Sequence, residues 1–199
     1  MDPLELGKKY DKIAEWWNEK HFHSEYGIPQ IRKAIEFVSE PGKVLDIGCG
    51  AGGRFIRLFE SRNYTITAID VSSKMIDLAK LNHPNHRFIN QDICQWETDE
   101  KFNLIVAWDS IFHLPLSMQK PVLAKLCSLL EKNGVLVYTF GNAEGDHLYE
   151  WHGDHFYYSS VGINENIQIL MKNGLTILHL ELDQYPEKHV YTIAKKISD

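Results

Sequence analysis

Between Asp46 and Gly53 the chain reads Asp-Ile-Gly-Cys-Gly-Ala-Gly-Gly, and glycines 48, 50 and 53 fit the spacing G-x-G-x-x-G. Residues without side chains let backbone lie directly against a ligand, and a helix that starts there aims its free N–H groups at it. The setting agrees with that chemistry. Val44 to Ile47 is a short apolar run stopped by glycines, residues 53–62 follow with helical spacing, and Asp70 ends the next apolar run, Thr65-Ile66-Thr67-Ala68-Ile69. A strand, a glycine turn, a helix and a distal acid together make a nucleotide-binding fingerprint, whereas the glycines alone would say little.

The acid ahead of the glycines narrows the ligand. A dinucleotide puts its pyrophosphate on this turn, and Asp46, two residues before the first glycine, would stand close to that negative charge. S-adenosylmethionine carries an α-ammonium and a sulfonium and no phosphate, so a carboxylate at position 46 attracts it. Asp70 can accept hydrogen bonds from the ribose hydroxyls of either ligand and does not discriminate. The competing account of Asp46 is a local cap on nearby backbone amides, as Asp often provides.

Two further stretches carry groups able to move protons. Asp109-Ser110-Ile111-Phe112-His113-Leu114 follows the apolar run 102–108, where open α/β sheets gather ligands at the strand C-termini. His113, with an ordinary pKa near ~6.5, is a candidate general base, or else a histidine bonded to backbone beneath the ligand. Glu150 to Tyr158 holds His152, Asp154, His155, Tyr157 and several aromatic residues. His155 and, less favoured, Tyr157 are the other catalytic candidates. No further convergent ligands accompany His152, Asp154 and His155, so a metal is not expected. The aromatic residues read as a substrate wall or a packed lid.

These residues need a frame, and the chain supplies one. Residues 4–18 read as an amphipathic helix and a second helix starts near Pro29, ended by Pro41-Gly42. From Lys43 strands and helices alternate: strands at 44–47, 65–69, 87–89, 102–108 and 135–140, helices at 53–62, 73–82, 116–131 and 161–172. Ser72 is a plausible N-cap. Residues 141–160 read as a loop. The strands 175–182 and 189–196 are joined only by residues 183–188, too short for a crossover, so they pair antiparallel. The expectation is a single α/β domain with a Rossmann-like, doubly wound sheet, residues 1–40 forming a helical lid and 41–199 the core.

Composition bounds the partners. With 199 residues and a formal charge of −6, the chain suits one domain and gives no basic groove for a nucleic-acid backbone. Cys49, Cys94 and Cys127 are odd in number and widely spaced, which favours a reducing cytoplasm over a disulfide framework. No signal segment or membrane span is visible, and a monomer or homodimer is expected.

With those motifs in order, residues 40–197 resemble the class I S-adenosylmethionine-dependent methyltransferases, small-molecule branch, including ubiquinone-biosynthesis-like and tellurite-resistance-like enzymes. Asp46 to Gly52 is similar to their first motif, which implies cofactor contact at Gly48, Cys49, Gly50 and Gly52. Ala68-Ile69-Asp70-Val71-Ser72 is similar to the second, with Val71 and Met75 near the adenosine. Asn90-Gln91-Asp92-Ile93 resembles the segment whose acid meets the adenine amino group and whose next residue meets the ring edge. Asp109 closes the fourth strand, and Tyr10 looks like the residue by which an N-terminal helix covers the cofactor. The resemblance implies strand order 3-2-1-4-5-7-6 with the last strand antiparallel, and methyl transfer to a small molecule. Neither an Asn/Asp-Pro-Pro-Tyr tetrapeptide nor a Pro-Cys pair is present, which disfavours base methylation. An NAD-dependent oxidoreductase and a non-catalytic cofactor-binding protein are the competing readings.

Overall fold

A computed structural model describes residues 1–184, 186 and 188–197; within the connection 183–188, Tyr185 and Glu187 lie outside the described residues. Two helices, α1 (Pro3–His21) and α2 (Ile28–Glu36), precede the alternating core of β1 (Lys43–Ile47), α3 (Gly53–Ser61), β2 (Thr65–Asp70), α4 (Ser73–Asn82), β3 (Arg87–Asn90) and β4 (Phe102–Ala107). A single 3₁₀ turn, Ile111–His113, leads to α5 (Leu116–Leu129) and β5 (Leu130–Gly141). The chain finishes with β6 (Glu144–Trp151), β7 (Asp154–Val161), α6 (Gly162–Lys172), β8 (Leu175–Asp183) and β9 (His189–Lys196).

Seven strands form one sheet in the order β3-β2-β1-β4-β5-β9-β8. The first five run parallel, and β9 lies antiparallel to both β5 and β8. This is the expected 3-2-1-4-5-7-6 order, since the additional strands β6 and β7 stand outside the sheet. Strand alternation assigns the side chains to two cores. Val44, Leu104, Val106, Val135 and Val137 pack with Ile31 of α2 and Phe59 of α3. Leu45, Ile105, Ala107, Leu136 and Tyr138 pack with Leu126 of α5 and Leu170 of α6. Burial on both faces explains the unbroken apolar runs of these strands.

The segment 141–160 departs from the expected loop. β6 and β7 pair antiparallel from Glu144↔Val161 to Trp151↔Asp154, around a two-residue turn at His152-Gly153. Both turn residues have positive φ, +51° and +71°, as a tight hairpin with a primed turn requires. β5 also begins earlier than its apolar run, because Leu130 already pairs with Phe102 before a register shift. Among the described residues no helix is long and apolar enough to cross a membrane.

α1 bridges the two halves of the molecule. Its Asp11 carboxylate accepts hydrogen bonds from Ser72 Oγ (2.6 Å) and Lys74 N (3.0 Å), at the start of α4. Gly7 lets the helix backbone close on the β2–α4 connection: a Cβ there would stand 2.6 Å from Val71 O. On the other side Lys9 and Lys12 each reach Asp154 of the hairpin at 2.8 Å, and Lys9 also donates to His155 O at 2.7 Å.

Candidate active site

The glycine loop is pinned to the end of β2. Gly48 N and Cys49 N both donate to Ile69 O, at 2.8 and 3.2 Å, and Gly50 N donates to Asp70 Oδ2 at 2.8 Å. Gly48 has φ +72°, and a Cβ on it would lie 2.3 Å from Ser110 Cβ, so only glycine fits between this loop and the end of β4. Gly50, at φ +55°, faces Trp17 Nε1 of α1, which a Cβ would approach to 3.0 Å. The loop therefore runs under α1 with backbone alone presented to the space between them.

That space has two compartments on either side of Trp17. The first, about 740 Å³, is bordered by Tyr10, Gly48, Gly50, Asp70, Val71, Met75, Asp92, Ile93, Asp109 and His113. The second, about 520 Å³, is bordered by Asp46, Gly48, Cys49, Gly50, Gly52, Arg54 and Asp109. All twelve residues expected at the cofactor border one compartment or both.

The electrostatics of this space are unusual. Alternation puts Asp46 on the Val44 face of β1, toward α3 and Arg54, where it is 2% exposed. Burial pushes its carboxyl up to about 7; Arg54 opposes that displacement, and the nearby Asp70 adds to it. Burial likewise pushes Asp70 up to about 6, although its oxygens accept from Gly50 N and Ser72 N. The Arg54 guanidinium lies over the rings of Phe55 and Tyr26, and its Nε has no hydrogen-bond partner. A desolvated carboxylate beside a guanidinium, a second one at the end of β2 and a glycine loop suit a ligand with a cation, a carboxylate and hydroxyl groups. S-adenosylmethionine has all three, and the residues present fit it. A pyrophosphate would meet Asp46 and Asp70 unfavourably.

Asp92 closes a turn as well as bordering the cleft, since its Oδ1 accepts from Cys94 N at 2.8 Å. Met75 is 1% exposed and packs on Ala14 and Ala51, so the same side chain belongs to the core and to the cleft wall. Burial raises the Cys49 thiol well above its ordinary range, which keeps it protonated.

The three proton-transfer candidates separate. His113 is 5% exposed and borders the first compartment. Its Nδ1 donates to Tyr157 O at 2.7 Å; a carbonyl only accepts, so Nε2 is the unprotonated nitrogen and takes the Tyr10 hydroxyl at 2.9 Å. Burial holds the imidazole down to about 4. It is neutral, and its lone pair is occupied. His155 and Tyr157 stand on the strand face opposite Phe156 and Tyr158 and border neither compartment. His155 is exposed, and the Tyr157 hydroxyl donates to Asp146 at 2.6 Å. The structure does not bring these two to the glycine loop, because the segment is a hairpin with two faces.

Three groups, His189, Trp17 and Arg54, had no signal in the local sequence. Asp109, at φ +50°, bonds Thr139 through backbone and side chain. It also accepts from His189 Nε2 at 2.8 Å, across 80 positions of sequence. His189 Nδ1 bonds Asp183. Burial opposes protonation of His189, but hydrogen bonds to and charge on Asp109 and Asp183 outweigh it and raise its pKa. Trp17 and Arg54 read in sequence as helix residues and here border the ligand space. Trp16 instead packs on Trp151 and His152. Among the described residues no three His, Cys, Asp or Glu side chains gather as a metal site.

Residues 44–134 match the family model described as a methyltransferase domain. Ubiquinone biosynthesis O-methyltransferase of Coxiella burnetii is 25% identical over 224 residues, covering 100% of this chain and 93% of that protein. Trans-aconitate 2-methyltransferase of an Enterobacter species is 32% identical over 130 residues, covering 62% of this chain and 50% of that protein. Among solved structures, 1,6-didemethyltoxoflavin-N1-methyltransferase of Burkholderia thailandensis, with 1,6-didemethyltoxoflavin and S-adenosylhomocysteine bound, aligns over 100% of this chain and 92% of its own. The TM-score is 0.75 and the identity 18%.

Proposed function

We propose that this chain is a class I S-adenosylmethionine-dependent methyltransferase that methylates a small-molecule acceptor, a reading supported by the methyltransferase-domain match and the similar methyltransferases. The observation that carries the reading is the meeting of the Asp46–Gly53 loop, Asp70 and Asp92 around one space beneath α1. When bound there, S-adenosylmethionine supplies an electrophilic methyl group on a sulfonium. The chain's own residues bind, orient and exclude water. Asp70 accepts the ribose hydroxyls, Asp92 and Ile93 meet the adenine, and Val71 and Met75 wall it. Asp46 faces the α-ammonium, and Arg54 is free to meet the α-carboxylate. Residues 1–40 act as a lid on the core 41–199, with Tyr10 and Trp17 covering the ligand. Closing that space strengthens each electrostatic contact within it.

With a reactive cofactor, alignment does most of the work, and a general base is needed only for an acceptor that must lose a proton. His113 serves best as a neutral post that fixes Tyr10; it could take a proton only after releasing that hydroxyl. Asp109, at the border of both compartments, is the better placed carboxylate. The acidic charge balance favours a small acceptor over nucleic acid, and a cytoplasmic monomer or homodimer accords with the free thiols.

Methyl-labelled S-adenosylmethionine offered with a panel of small amines, phenols and carboxylic acids tests the proposal. Label is expected on at least one acceptor, with S-adenosylhomocysteine formed in equal amount. Tight cofactor binding with no transfer across the panel would point instead to a non-catalytic binding protein, and binding of NADH in place of the cofactor to an oxidoreductase.

A further inference from the structure

The seven-stranded sheet ends in β8, whose outer edge pairs with no strand among the described residues. Free edges ordinarily carry charge, distortion or cover, because exposed backbone groups invite pairing with another chain. β8 has one such device, a register shift against β9 between Ile177 and His179. Beyond it the pairing is regular, from His179↔Ile193 to Asp183↔His189. Leu180 and Leu182 alternate there with His179, Glu181 and Asp183, and they are 38% and 45% exposed. Leu178, at the shift, is exposed as well.

The order Leu178-His179-Leu180-Glu181-Leu182 complements itself about Leu180. When a second copy of β8 lies antiparallel with Leu180 opposite its own counterpart, Leu178 meets Leu182 and His179 meets Glu181. Residues directly opposite in an antiparallel pair share a face, so the Leu180 pair lies on one face and the His179–Glu181 pairs on the other. Lys33 of α2 donates to His179 Nδ1 at 3.3 Å and so brings an ammonium to that charged face. Within the chain Glu181 accepts from His179 Nε2 at 2.8 Å and from the Tyr191 hydroxyl at 2.9 Å, both through Oε2, which leaves Oε1 for the cations of the second copy. The edges of β3 and β6 lack this match. β3 has only four residues, and Arg87 is tied to Glu100. β6 carries Glu144, Asp146 and Glu150 without a Lys or Arg, so two copies of it would bring like charges together. We propose that two copies of this chain join through their β8 edges, about a two-fold axis at Leu180, so that one sheet runs through both. Such an interface uses the same patch on each copy and closes after two chains. β5 and β9 separate it from the ligand compartments at β1, β2 and β4.

Sedimentation velocity of the parent over a concentration series should show a monomer–dimer equilibrium. Leu180→Asp sets two carboxylates opposite each other on the axis and should weaken dimerisation at least tenfold, with the circular dichroism of the parent. Leu180→Cys locates the contact, since opposed Cα atoms in an antiparallel pair lie about 4.5–5.5 Å apart, within the reach of a disulfide. Oxidised with diamide, this variant should form a disulfide between copies at position 180, read by peptide mass spectrometry, faster than Leu148→Cys on exposed β6 links at position 148. A parent that stays monomeric throughout, a dimer unmoved by Leu180→Asp, or linking at position 180 no faster than at 148 would each overturn the inference.

Discussion

Replacing Asp46 by Asn should make the ligand-free protein more stable while making it a poorer cofactor binder. The side chain is 2% exposed and its carboxyl is pushed up to about 7 from an ordinary 3.8. Between those values the folded chain retains a proton that the unfolded chain has released, so folding stability falls as pH rises through that window. At about 1.4 kcal/mol per pKa unit, the full penalty above pH 7 approaches ~4 kcal/mol, and relaxation around the charge should leave about 2 kcal/mol of it. Asparagine keeps the shape and removes the charge. Urea denaturation at pH 8 should therefore show a gain of about 2 kcal/mol for Asp46→Asn, shrinking toward zero near pH 4. Calorimetry should show S-adenosylhomocysteine bound at least tenfold more weakly, since the ammonium has lost its carboxylate. A variant no more stable than the parent at pH 8, or one with unchanged affinity, would refute the argument that Asp46 is kept at a cost in stability for a cationic ligand.

Three other perturbations follow from particular contacts. Gly7→Val brings a Cβ against Val71 O and must lift α1, so cofactor affinity should fall at least tenfold while the circular dichroism of the core stays as in the parent. His113 is held down to about 4 against an ordinary 6.5, so it costs stability as pH falls from 6.5 to 4. His113→Gln should flatten that acid flank by up to about 3 kcal/mol, measured as the pH dependence of the denaturation midpoint. Asp154→Asn releases Lys9 and Lys12, and faster amide exchange should then appear in α1 and across β6–β7.

The core of the fold was legible because buried parallel strands leave continuous apolar runs, and because glycines and Ser72 punctuate them. Ser72 does cap α4, accepting from Met75 N at 3.2 Å. The hairpin was not legible: its turn, His152-Gly153, lacks the Asn-Gly or Asp-Gly signature, and β6 is exposed along nearly its whole length. That one misreading placed His155 and Tyr157 among the catalytic candidates, since a loop has no faces and a strand has two. The loop residues and the acids at successive strand ends could be read locally because one motif carries them. His189 could not, because its partnership with Asp109 exists only after β9 inserts beside β5. Trp17 read only as a residue of the first helix, and the helix phase then set it over Gly50 and turned Trp16 toward the hairpin.

The central claim is that the Asp46–Gly53 loop and Asp70 hold S-adenosylmethionine. Titration calorimetry of S-adenosylhomocysteine into the parent and into Asp70→Ala tests it most directly. One site per chain is predicted in the parent, with affinity at least a hundredfold weaker in the variant, while NADH gives no heat in either. Unchanged affinity in Asp70→Ala, or binding of NADH in place of S-adenosylhomocysteine, would contradict it.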